Sequence, residues 1–197
     1  GFTGGLQFKY RLWGDVSLFA EPRTSLASSS LKTNEKEEGR YVAKKFTDNL
    51  YSINIGIEIQ RTDEENRMAR SLNRDLFKPS FFVSGAIGFS VPIQMKRYEP
   101  KRHFDYMVTA SVGRIFTPLS SLRLAADYGP LSTDRKGKTL DYDMASGSLD
   151  YMLNLTNLMT GYDPERKYDV QLFAGIVASM RMKHENRFFI GGEAGLQ

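Results

Sequence analysis

Few residues in this chain are placed to do chemistry. Its two histidines, His103 and His184, each lie in a basic loop with no second histidine or carboxylate at ligand spacing, so both read as solvated loop residues. "DRKGKTLDYD" could gather Asp134, Asp141 and Asp143 around calcium, but it lacks the spacing of a calcium loop and its lysines oppose a cation. "GGLQ" and "GAIG" are not phosphate loops, because no Lys-Ser/Thr pair follows and neither sits between a strand and a helix. No Ser/His/Asp arrangement follows from spacing. Cysteine is absent, which removes disulfides, thiol nucleophiles and cysteine-bound metal. The expectation is a protein that is not an enzyme and takes no metal or cofactor. The constellation left is a set of charges that share strands with apolar residues: Lys9, Arg11, Glu21, Arg23, Glu58, Arg123, Asp127, Asp150 and Glu193.

The elements that carry these charges are strands. "YSINIGIEIQ" places Tyr51, Ile53, Ile55, Ile57 and Ile59 on one face and Ser52, Asn54, Gly56, Glu58 and Gln60 on the other, the period of an extended chain. The pattern recurs in "LQFKYRL", "DVSLFAEPR", "FFVSGAIGFSVPI", "FDYMVTASVGRIF", "LRLAADY", "LDYMLNLT", "YDVQLFAGIVASM" and "FFIGGEAGLQ". In each, an apolar set opposes a polar one. Leu172 and Ile176, for example, oppose Gln171 and Gly175. So many successive strands predict an antiparallel meander. One segment, "DEENRMARSLNRDLF", repeats Met68, Leu72 and Leu76 at helical spacing and is expected to be a short amphipathic helix in a solvated connector.

The connections sort by length. "WGD", "TPLSS" and "GYDPERK" are tight and rich in turn residues, whereas residues 25–49, 96–103, 129–147 and 181–187 are longer and polar. If the strands run up and down in order, the tight turns share one rim and these long loops the other, as in outer-membrane barrels. The polar connector 61–78 breaks the sorting by falling on the short-turn rim. "GGLQ" at Gly4 to Gln7 is similar to "GGEAGLQ" at Gly191 to Gln197, which suggests a repeat and a window cut from a longer protein.

Composition bounds the choice. The 197 residues suit a single domain spanning 1–197, and a mean hydropathy of -0.41 is compatible with membrane strands of about ten residues in which every second one is apolar. No apolar run approaches the roughly 18 residues of a spanning helix. The formal charge of +4, from 27 basic and 23 acidic residues, is too small and scattered for a nucleic-acid surface. The N-terminal residues do not have the pattern of a signal peptide.

The phrases "LFAEPR", "GRIFTPLSSLRL", "LDYMLNLTNLMTGYDPERKYDVQLFAG" and "FFIGGEAGLQ" resemble those of outer-membrane β-barrel proteins of the OmpA type in Gram-negative bacteria. The resemblance covers most strands but not the long loops, and the "NLTNLMTGYDPERKYDV" hairpin is its most specific part. It implies an eight-stranded barrel anchored in the outer membrane, without enzymatic chemistry and without the peptidoglycan-binding domain that often follows such barrels.

The expected fold is therefore all-β: an antiparallel up-and-down transmembrane β-barrel of about eight strands, with short periplasmic turns and long extracellular loops. The nine charges named above would face the lumen, pair there and plug it, since about sixteen strands are needed for an aqueous channel. Ile53, Ile55, Ile57, Ile59, Leu172 and Ile176 would face outer-membrane lipid. Tyr10, Tyr51, Tyr106, Tyr128, Tyr151 and Tyr168 would form an interfacial girdle. The expected role is a structural anchor whose surface loops touch an extracellular ligand or protein. The alternative is a soluble lipocalin-like barrel that binds an apolar small molecule, with the isoleucines inside.

Overall fold

The computed structural model describes residues 1–37, 40–61, 77–93, 105–135, 138–163, 165–182 and 187–189. The strands are β1 (Phe2–Trp13), β2 (Val16–Glu37), β3 (Arg40–Arg61), β4 (Ser80–Ile93), β5 (Asp105–Ile115), β6 (Ser120–Arg135), β7 (Lys138–Asn154), β8 (Tyr168–Arg181) and a short β9 (Arg187–Phe189), with one six-residue helix, α1 (Leu155–Thr160). Each strand pairs antiparallel with the next, and β1 pairs with β8 from Phe2↔Ile176 to Tyr10↔Tyr168. The fold is a closed eight-stranded, up-and-down antiparallel barrel, with β9 added to the upper part of β8. Closure leaves no free edge along β1 to β8 where they meet.

Alternation fixes which way each strand faces. Along β5 the burial alternates residue by residue from Asp105, with Met107, Thr109, Ser111 and Gly113 inside and Tyr106, Val108, Ala110 and Val112 outside. The ladders keep that phase from strand to strand, because a one-residue slip would turn every side chain to the other face.

Two segments differ from the sequence reading. Residues 25–49 and 129–147, expected as loops, are largely paired backbone: β2 and β3 pair from Leu26↔Asn49 to Lys32↔Ala43 and, after a shift of register, at Lys36↔Tyr41 and Glu37↔Arg40, and β6 and β7 pair from Gly129↔Met144 to Arg135↔Lys138. Once two sequential strands have paired, extending their hairpin requires no further loop closure, and the ladder satisfies backbone groups whatever the side chains. "LDYMLNLT" also stops being a strand at Asn154. The Asn154 side chain accepts the backbone N–H of Asn157 at 2.8 Å and caps α1, while Thr156 Oγ1 accepts the N–H of Val170. The helix proposed around Met68, Leu72 and Leu76 lies outside the described residues.

Tight packing inside the barrel turns on a few positions. Phe82 opposes Gly113 across the β4–β5 ladder, and its ring lies where a Cβ on Gly113 would go, with the Leu122 carbonyl oxygen 2.7 Å from that point. Phe82, Met152 and Phe173 form a small apolar cluster with Ile115 packed against it. Gly113→Val should displace the Phe82 ring and cost about 1–3 kcal/mol. Urea titration should report this as a lower midpoint with an unchanged slope.

Candidate functional site

The barrel interior is the candidate site. Seven of the nine charges expected inside are described there and buried: Lys9, Glu21, Arg23, Glu58, Arg123, Asp127 and Asp150, each at most 8% exposed. Arg11 is half-buried at the turn end, and Glu193 lies outside the described residues.

β2 and β6 stand four strands apart in either direction around the eight-stranded ring, so they face one another across its diameter. Ion pairs span that gap. The Arg123 guanidinium on β6 donates through Nη1 to Glu21 Oε2 on β2, and through Nε and Nη2 to Asp150 Oδ2 on β7 at 3.1 and 2.8 Å. Arg23 on β2 donates from Nε to Glu21 Oε1 at 2.9 Å and from Nη1 to Asp127 Oδ2 on β6 at 3.2 Å. Thr109 and Ser146 hydroxyls donate to Asp127 at 2.7 and 3.1 Å, and Ser148 donates to Asp150 at 3.3 Å. Separately, Lys9 on β1 donates to Glu58 on β3 at 2.6 Å.

The cations also rest on aromatic faces. Arg123 and Arg23 lie 4.7 and 5.5 Å from the Phe173 ring centroid, and Lys9 lies 5.3 Å from that of Phe82. Phe82, Phe173 and Met152 were not singled out from the sequence. Their signal was there: each occupies a polar-face position of its strand, where a bulky apolar residue belongs only if the interior has a layer for it to fill.

At the turn end a polar vestibule of about 390 Å³ opens between the connections, lined in part by Lys9, Arg11, Asp15, Tyr162, Asp169 and Gln171. Asn157 Nδ2 donates to the Pro118 carbonyl at 2.7 Å, and Arg166 donates to Asn157 Oδ1 and the Gly161 carbonyl, both at 2.9 Å. These bonds tie the β5–β6 and β7–β8 turns together. Burial pushes the Tyr162 phenol above its ordinary value, with Arg11 opposing the shift and Asp169 and Asp163 adding to it.

Outside, the arrangement is reversed. Ile53, Ile55, Ile57 and Ile59 are all at least 50% exposed, and Leu172 and Ile176 are 43% and 58% exposed. Tyr51, Tyr106 and Tyr128 face out toward the long-hairpin end, and Tyr10 and Tyr168, paired across β1 and β8, face out near the turn end with Trp13 and Phe116. Tyr151 also points outward. Among the described residues, no group of three His, Asp or Glu side chains could hold a metal ion, and no helix is long and apolar enough to cross a membrane. The side chains of His103, His184, Asp134 and Asp141 lie outside those described.

No family model matches this chain, and no match was found among the curated proteins or the solved structures.

Arg123→Met should leave Asp150 buried without its guanidinium donor and Glu21 with Arg23 alone, and cost about 3–5 kcal/mol, read from denaturant midpoints. Glu21→Gln combined with Arg123→Met should cost less than the two separate losses added together, because each single change includes the penalty of the partner left behind. A raised phenol favours the folded state below the ordinary tyrosine value of about 10, and that contribution is lost as pH rises through the shifted value. The alkaline fall in stability should therefore be smaller in Tyr162→Phe than in the parent when melting is compared between pH 9 and 11.

Proposed function

We propose that this chain is an outer-membrane β-barrel protein that acts as a structural anchor, its lumen plugged by side chains and its long hairpins presented outside the cell. The observation that carries this reading is the distribution of polarity. Around the barrel the strands put large apolar side chains outward, while the interior holds salt-bridged Glu21, Arg23, Arg123, Asp127 and Asp150. A soluble protein seldom exposes contiguous apolar patches beyond a few hundred Å², and an encircling apolar band is what acyl chains solvate. A lipocalin-like barrel would need the opposite arrangement, with an apolar cavity where these charges pair.

Other features support the anchor. Aromatic side chains toward both ends of the barrel suit the two membrane interfaces, where an amphipathic ring keeps its polar tip wet. The longest strand pairs, β2–β3 and β6–β7, project from the end opposite the tight turns, the asymmetry of a protein that inserts from the periplasm. A barrel of about eight strands has an interior only wide enough for its own side chains, and the diametric ion pairs that occupy it support an anchor over a channel. The partners are outer-membrane lipid and, through the projecting hairpins, a ligand or protein outside the cell.

Folded barrels of this kind resist SDS until heated. The unboiled protein should therefore run as a compact, fast band that shifts on boiling, and a protein that is monodisperse without detergent and shows no shift would overturn the reading. Ile55, opposite Ala20 and Ile87 in the mid-part of the barrel wall, is the position at which to test lipid contact. Ile55→Arg should cost about 2–4 kcal/mol in lipid vesicles near the bilayer midplane. Equal stability of parent and variant in vesicles would argue against lipid at that face.

A further inference from the structure

The edge of β8 that closes the barrel is addressed by two segments of the same chain. β1 takes it from Phe2↔Ile176 onward, and Gly1 extends the pairing by exchanging both backbone hydrogen bonds with Val177, at 2.8 and 2.9 Å. Immediately above, β9 pairs Phe189↔Ser179, Phe188↔Met180 and Arg187↔Arg181. At those three residues the other edge of β8 belongs to β7, through Ser146, Ala145 and Met144. β9 and β1 therefore share one edge.

If the β9 register, observed at Arg187–Phe189, were continued along that edge, Gly191 would fall opposite Val177, Gly195 opposite Phe173, Leu196 opposite Leu172 and Gln197 opposite Gln171. β1 already places Gly1, Gly5, Leu6 and Gln7 opposite the same four residues. The two seven-residue stretches, "GFTGGLQ" and "GGEAGLQ", are identical at those four positions, and Gly4 is matched by another small residue, Ala194. The register comes from Arg187–Phe189, which lie outside the matching stretch, so sequence and pairing agree independently. A slip of one residue would destroy the agreement and turn Leu196 inward.

The slot also has a steric requirement that both segments meet. A Cβ on Gly5 would collide with the Pro22 carbonyl oxygen and would lie 2.8 Å from Phe173 Cζ and 3.1 Å from Arg23 Cα. Glycine stands at 195 as it does at 5. Gln7, fully buried opposite Gln171, is matched by Gln197, and outward-facing Leu6 by Leu196.

We propose that residues 190–197 and residues 1–7 are alternative occupants of one strand slot between β8 and β2, so that the barrel can exchange the strand that closes it. The occupant is the chain's own C-terminal segment, bound through backbone hydrogen bonds and the Gly-Leu-Gln pattern. This inference rests on register and sterics and holds whether the outer face meets lipid or water.

The absence of native cysteine makes the seam directly readable. Because Gly1 and Val177 form a hydrogen-bonded pair and pair types alternate along the ladder, Leu6 and Leu172 form a non-hydrogen-bonded pair, whose Cα separation of about 4.5 Å suits a disulfide. The full chain carrying Leu6→Cys, Leu172→Cys and Leu196→Cys would be oxidised under folding conditions and its monomer mapped by non-reducing peptide mass spectrometry. Leu124→Cys with Leu149→Cys, opposed across the β6–β7 hairpin, sets the yield for a permanently paired position. Disulfides 6–172 and 172–196 should both form within monomers, and adding Gly195→Val should lower the 172–196 fraction at least fivefold while preserving 6–172. A thiol at 196 that stays reduced while 6–172 forms would overturn the exchange. So would a 172–196 disulfide found only in dimers, or one insensitive to Gly195→Val.

Discussion

The ion pairs that cross the barrel from β2 to β6 set the terms for the rest of the molecule. A charge moved from water into a closed protein interior is tolerated only when partners satisfy it, and Glu21, Arg23, Arg123, Asp127 and Asp150 satisfy one another only because their strands stand opposite or adjacent in a ring of this size. A wider ring would separate β2 from β6 and leave the guanidiniums without carboxylates. Phe173 completes the arrangement, since the guanidinium carbons of Arg123 and Arg23 lie over its ring, 4.7 and 5.5 Å from the centroid. Interior polarity, strand number and the position of one aromatic ring are thus parts of a single geometric solution.

With the charges committed to the inside, the strands have only their apolar faces left for the outside. Backbone polarity is handled by the ladders, which run continuously around the ring and close through β1 and β8. The outward surface then consists of Ile, Leu, Val and Phe side chains with tyrosine and tryptophan toward its ends. Such a surface is poorly suited to water and well suited to a layer that supplies no hydrogen bonds. The proposed anchor role draws on this inversion of polarity.

Alternation made much of this legible in the sequence. Period two placed Ile53, Ile55, Ile57 and Ile59 together on one face of their strand and Glu58, Arg123 and Asp150 on the polar faces of theirs, because side-chain direction in a strand is a local property of the backbone. What local pattern could not give was which charge meets which. The Glu21–Arg123 contact joins residues about a hundred positions apart and depends on the ring closing. The buried Phe82, Met152 and Phe173 were hidden for a related reason: polar-face parity is read as polar, whereas the interior needs bulk as well as charge. The loops were misjudged from composition, since the Ser- and Lys-rich stretch 25–37 continues β2 as paired backbone. Asn154 shows the converse, ending a regular alternation with a cap that only the folded turn makes evident.

The wiring of the barrel constrains the order in which it can assemble. Seven of its eight ladders join neighbours in sequence and can form as local hairpins, but the β1–β8 ladder joins residues such as Phe2 and Ile176 from nearly opposite ends of the described chain. Contacts of such separation form late, because the loop entropy must be overcome before any of them stabilises the chain. Until then the sheet is open, Arg123 and Glu21 remain hydrated, and no burial penalty has been met. Closure, dehydration of the lumen and formation of the cross-barrel pairs therefore coincide, which makes the last ladder the step where folding is committed and where the sheet is most open to pairing with the wrong strand.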